Sequence, residues 1–166
     1  MDSEESENKN KTLPLIYWNE VEPFKIVFKN DGDKKDRFYY KYRTHENLSN
    51  GFRTMHGGSI FTMFNILSKK SILLKTKYNK KNKNIQNDYD ISLIEQTTKY
   101  LNPVQIESNI IIEITLEKDG KDIIFITGHL YEADNFSEKN ENNINISSLK
   151  VLCLCNSTYI RRQIKF

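Results

Sequence analysis

Two cysteines, Cys153 and Cys155, are the whole thiol content of this 166-residue chain. On a strand, positions two apart share one face, and such neighbours rarely close a disulfide. A disulfide framework is thereby excluded. With no second Cys pair and no His pair beside them, a zinc site is excluded as well, so no metal or cofactor is expected. Unpaired thiols point to a reducing, cytoplasmic setting. Charge of one sign is also lacking: 25 Lys and Arg are interspersed with 22 Asp and Glu, a formal balance of +3. Nucleic acid is therefore not an expected partner. No apolar run is long enough to span a membrane. The acidic, polar start from Met1 to Lys11 opposes both a secretory signal and an Arg-rich transit peptide. Residues 1–12 read as a disordered tail, and 13–166 as one domain long enough to bury its own core.

What the chain does hold is a run of strand signals behind one apolar helix. Leu13 to Phe28 forms the entry, with Trp18, Phe24 and Phe28 as packing residues. Asn30 to Asp36 is a charged turn around Gly32. The aromatic run Arg37 to Thr44 reads as a strand. His45 to Met55 is a loop, and Gly57 or Gly58 opens a helix lasting to about Tyr78. Its apolar residues cover nearly every face, the mark of a buried central helix. Lys75 to Asn87 is rich in Lys and Asn and is expected to be a solvated loop. Strands follow over Ile91 to Leu101, Gln105 to Lys118 and Lys121 to Tyr131. Asn102-Pro103 breaks the first pair, and Asp119-Gly120 is the hairpin signal for the second. Asp134 to Asn145 is polar and reads as an inserted loop. Ser148 to Ile160 alternates as a last strand. There is no internal repeat. An antiparallel sheet curled around one central helix, an α+β arrangement, satisfies this order.

Chemistry concentrates in Asn50-Gly51-Phe52-Arg53-Thr54-Met55-His56-Gly57-Gly58 and the helix behind it. Two glycines at a helix start leave N–H groups uncovered at the positive end of the helix dipole, where they can grip an oxyanion or a polarised carbonyl. Asn65 is then a polar residue within an apolar helix. Together with Lys99-Tyr100-Leu101-Asn102-Pro103 and the Gly-centred hairpin, these residues resemble the hotdog-fold thioesterases. The resemblance is to the phenylacetate-type and thioesterase-superfamily-member-2-type acyl-CoA thioesterases, over roughly Arg37 to Ile160. It implies a hotdog fold, acyl-CoA as substrate and a homodimer or a pair of dimers. It further implies that Asn50 lies near the thioester, that His56 organises the loop and that the Gly57 N–H polarises the carbonyl. Gly58 allows close approach, and Ser92 corresponds to a family Ser or Thr. At position 65 the family has Asp or Glu, acting as nucleophile or general base. Here Asn65 replaces it.

An amide cannot take a proton from water or attack a thioester as a carboxylate does, although it can orient either by hydrogen bonds. Three readings stay open at this point. Another carboxylate, Glu95 or Asp90, activates water; or hydrolysis is slow and relies on carbonyl polarisation; or the site binds acyl-CoA without cleaving it. A hydratase on the same fold is disfavoured, because its Asp/His pair at a different spacing is missing. Phe61 and Phe64 are core or acyl-tunnel wall. Lys75 to Lys83, Arg161 and Arg162 could attract CoA phosphates. His45 and His129 have no expected catalytic role.

Gly58 and Asn65 stand seven residues apart, which is roughly 10 Å along a helix at about 1.5 Å per residue. One carbonyl carbon cannot reach both, so a group gripped at Gly57 meets position 65 of a second, antiparallel copy. Sedimentation of the purified chain should therefore give a dimer or a pair of dimers. A lone protomer at every concentration would remove the shared site.

Overall fold

A computed structural model describes residues 18–29, 34–83, 89–134 and 145–164. Strands β1 (Pro23–Val27), β2 (Asp36–Arg43), β3 (Tyr89–Tyr100), β4 (Asn109–Asp119), β5 (Ile123–Glu132) and β6 (Val151–Gln163) accompany one long helix, α1 (Gly57–Lys83). All six strands join one antiparallel sheet in the order β1-β2-β4-β5-β6-β3. This is the expected curled sheet around one helix. The anticipated tail over residues 1–12, most of the turn around Gly32 and nearly all of the Asp134 to Asn145 insertion lie outside the described residues.

Alternation explains which sheet face is covered. Phe38 and Tyr40 of β2, Ile110, Ile112 and Ile114 of β4, Ile124 and Ile126 of β5, and Cys153, Cys155 and Tyr159 of β6 all enter one core with the helix. Residues two apart on a strand share a face, so each strand offers a row to that core. From α1, Ile60, Met63, Phe64, Leu67 and Ile72 complete it at helical spacing. Trp18 is fully buried in the same core, its ring centroid 4.5 Å from that of Tyr42. The helix and sheet come closest at Gly128: a Cβ there would sit 2.7 Å from the Phe64 ring and 3.3 Å from Cys155 Cβ. The hairpin anticipated at Asp119-Gly120 is present, the Gly120 N–H donating to the Ile123 carbonyl at 3.0 Å.

Three expectations need correction. The helix does not stop near Tyr78. It runs through the Lys/Asn stretch to Lys83. Lys75 is no loop residue: its Nζ lies 2.8 Å from Asp36 Oδ1, in a pair where both side chains are largely buried, and it stands over the Phe28 and Tyr78 rings. A buried lysine paired in this way ties the helix to β2. Nor is α1 covered on every side within one chain, since Phe61 is 36% and Leu73 45% exposed. Finally, Gln105 to Ser108 is a turn, with Glu107 at φ 59°, so β4 starts only at Asn109. The last strand likewise starts at Val151, after a 3-10 turn at Ile146–Ser148.

Replacing Gly128 by Ala forces the Phe64 ring off the sheet. We expect a loss of about 1–3 kcal/mol from overpacking, read as a lowered urea midpoint with an unchanged m-value.

Candidate functional site

Four N–H groups open any α-helix without helical acceptors. In α1 they are those of His56, Gly57, Gly58 and Ser59. The His56 carbonyl accepts the Ser59 and Ile60 N–H groups at 2.9 and 3.2 Å. Its Nδ1 accepts the Gly58 N–H at 3.0 Å. His56 is thus the N-cap, using a ring nitrogen where Ser or Asp would use oxygen. Its own N–H is anchored to the Leu48 carbonyl at 2.8 Å. The fourth group, the Gly57 N–H, has no acceptor among the described residues. It stands at the positive end of the helix dipole.

The loop that delivers His56 is held by Asn50. Asn50 Oδ1 accepts the Phe52 and Thr54 N–H groups at 2.9 and 3.2 Å, and its Nδ2 donates to Thr54 Oγ1 at 2.9 Å. This Asx clamp lets Arg53 sit at φ 57°. The Asn50 amide is fully engaged in shaping the loop. From there, the Met55 N–H reaches the Val104 carbonyl at 2.8 Å, fastening the loop to the segment after β3.

Beside Gly57 lies a cavity of about 350 Å³ lined by Thr54, Met55, Gly57, Ile60 and residues 100–104. It opens to solvent and its walls mix polar and apolar groups, among them the half-exposed Tyr100. The Tyr100 hydroxyl donates to the Gly57 carbonyl at 2.9 Å. Partial burial and, to a lesser degree, the nearby Cys153 and Cys155 raise its pKa, which keeps it a donor at neutral pH. Sequence reasoning quoted Tyr100 within a motif but did not assign it to the site. The available signal was an aromatic residue at the very end of a strand, just before the Asn102-Pro103 break.

Asn65 sits two turns further along α1, on the same side as Gly58 and Phe61. Its Oδ1 accepts the hydroxyl of fully buried Tyr159 at 3.0 Å, while its Nδ2 has no partner among the described residues. Gln96 of β3, also missed from sequence, crosses to the helix, its Nε2 donating to the Phe61 carbonyl at 2.8 Å. Its Oε1 is buried without a partner among the described residues.

The candidate replacement bases are elsewhere. A bulge between Leu93 and Glu95 shifts the β3 register. The extra residue, Ile94, is 56% exposed, and the alternation changes phase behind it. Gln96 therefore faces the helix and Glu95 faces away, lining a different cavity with Thr97, Glu117 and Phe125. Ser92, between core-facing Ile91 and Leu93, also points outward, and its Oγ donates to Asp90 Oδ2 at 3.1 Å. Arg161 closes the β4–β5 hairpin, pairing with Asp119 Oδ1 at 2.7 Å, so it is not free for CoA phosphates. Arg162 is exposed, opposite Asp90 in the β3–β6 register. His45 pairs with Glu107 at 3.9 Å, and His129 lies 4.0 Å from Glu113. Neither histidine lines the cavity at Gly57. Cys153 and Cys155 are free and buried. Burial pushes the Cys153 thiol up to about 11, so it offers no reactive thiolate.

A larger cavity, about 600 Å³, is lined by Arg37, Tyr39, Glu113, His129 and Tyr131. Its carboxylate, Glu113, already accepts the Tyr131 hydroxyl at 2.9 Å and lies 3.7 Å from Arg37 Nε. The smaller cavity has the uncommitted backbone donor, and chemistry is sought there.

No family model and no curated protein sequence matches the chain. Solved structures do. Zebrafish thioesterase superfamily member 2 is 15% identical at a TM-score of 0.58, over 82% of this chain and 79% of its own. A Streptococcus pneumoniae hypothetical thioesterase with coenzyme A is 12% identical at 0.57, over 86% and 88%. A Streptococcus mutans protein bound to acetyl-CoA is 12% identical at 0.55, over 88% and 91%. At these identities the likeness shows the fold: an antiparallel sheet around one long helix, the hotdog fold of these thioesterases.

Asn50→Ala removes three side-chain hydrogen bonds from the loop. Stability should fall by about 1–3 kcal/mol, measured by urea unfolding, and hydrogen exchange should accelerate from residue 50 to 55.

Proposed function

We propose that this chain binds acyl-CoA where two copies meet and hydrolyses its thioester to a free acid and CoA. The observation that carries the reading is the uncommitted Gly57 N–H at the head of α1, beside an open cavity. A thioester oxygen accepting that N–H becomes the developing oxyanion when water attacks the carbonyl carbon. The C–S bond then breaks, the sulfur leaves as CoA thiolate and takes up a proton, and the acid is released. Hotdog proteins with coenzyme A or acetyl-CoA bound share this fold, which supports the ligand class.

The second copy is supported by an edge. Among the described strands, β3 pairs only with β6, leaving twelve residues with one open side. Exposed Ile94 lies on that strand, and Phe61 and Leu73 are exposed on the helix. A long unpaired edge with apolar neighbours is a template for another strand. Asn65 from that copy would orient the water. His56 holds the loop and Gly58 keeps the approach open.

The second reading is favoured by a specific feature. No carboxylate lines the cavity among the described residues, and Asn65 Oδ1 is held by Tyr159. A site without a base could bind acyl-CoA and release no thiol.

Free thiol released from short, medium and long acyl-CoAs separates the two. Under the leading reading, release is slow and saturable, and Asn65→Ala abolishes it. Asn65→Asp supplies the missing base and should raise kcat by about 10²-fold, the low end of general-base contributions. Saturable binding without thiol release would support the second reading, and no gain from Asn65→Asp would show that the pocket cannot use a carboxylate.

A further inference from the structure

We propose that Tyr100 is a positioning residue for the oxyanion donor, a role that rests on the site proposed above. The Gly57–Gly58 peptide has its N–H taken by His56 Nδ1 at 3.0 Å and its carbonyl taken by the Tyr100 hydroxyl at 2.9 Å. Both ends of one peptide plane are thus gripped by side chains, one from the loop and one from the end of β3. A glycine pair is the most conformationally free start a helix can have. Left to itself it would fray, and the Gly57 N–H would sample many directions.

The grip also leaves little room for a side chain at position 57. A Cβ there would lie 3.3 Å from Tyr100 Cζ and 3.4 Å from its hydroxyl oxygen. The phenol occupies the space a side chain would need, and its ring closes one side of the cavity. The ring lies against the helix tip while its hydroxyl fixes the peptide. Preorganised donors are worth most where they need not reorient during the reaction. Tyr100 does not donate to the substrate: its one proton is committed to the Gly57 carbonyl. It acts through Gly57: the Gly57 N–H belongs to the preceding peptide, whose His56 carbonyl is held by the Ser59 and Ile60 N–H groups, and Tyr100 fixes the peptide on the other side of the Gly57 Cα.

Tyr100→Phe tests this in the full chain, since it keeps the ring and deletes only the donor. The Gly57 and Gly58 amide cross-peaks in a ¹H–¹⁵N spectrum should shift, and amide exchange at the helix start should rise. With an acyl-CoA that the wild type hydrolyses, kcat should fall about tenfold while KM changes little, the signature of a misaimed transition-state contact. Tyr100→Leu, which loses ring and hydroxyl together, should not recover kcat above the Phe variant. Unmoved glycine cross-peaks overturn the inference, as does a Phe variant with wild-type kcat. If the wild type releases no thiol from any acyl-CoA, the hydrolase reading falls by itself. The glycine cross-peaks then decide the Tyr100 grip alone.

Discussion

One helix has to cover one face of a six-stranded sheet, and the rest of the molecule follows from that constraint. The sheet offers rows of isoleucine and aromatic side chains from β2, β4, β5 and β6, and α1 packs over them, with Trp18, Leu48, Met55 and Val104 in the same core. Contact is tightest where Phe64 lies over Gly128, a position that has no room for a side chain. That seating decides where both ends of the helix go. Its far end is tied to β2 by the buried pair of Lys75 and Asp36. Its near end is delivered beside Tyr100 at the end of edge strand β3.

At that near end, hydrogen-bond accounting becomes chemistry. A helix start has four donors to satisfy; His56 takes two and the Leu48 carbonyl a third. The remaining donor is backbone, so it cannot be tuned by titration and does not depend on pH through its own charge. It relies on direction, which the Asn50 clamp and the loop-to-Val104 bond supply. Where the resemblance implies a carboxylate, Asn65 is a neutral amide bonded to a buried phenol. Binding of a polarised carbonyl is well provided for in this arrangement, and proton removal from water is not.

Much of this was legible in advance. The helix start, the five strands from β2 onward and the Asp119-Gly120 hairpin follow from local signals: turn chemistry, alternation and the exposed backbone at paired glycines. Strand β1 within the N-terminal entry, and the ring-nitrogen cap that His56 places on Gly58, were not foreseen. One error has an instructive cause. The stretch from Lys75 looked like a loop because its composition is polar, but lysine is a good helix former and Lys75 found a buried partner on β2. Glu95, one of the open candidates for a base, depends on register: a single bulge residue, Ile94, turns Gln96 toward the helix and Glu95 away from it.

The sequence by itself determined the class of fold, the polar loop that runs into a glycine-led helix, and the amide at position 65. These are local properties, written in residue types and spacing, and no distant contact can change them. Only the tertiary structure decided which side chains surround the helix tip. Tyr100 and Gln96 reach α1 from more than thirty residues away in the chain, and Ser92 and Glu95 are turned from it. Such facts depend on strand register and on one bulge, and a shift of a single residue reverses the face to which every following side chain belongs.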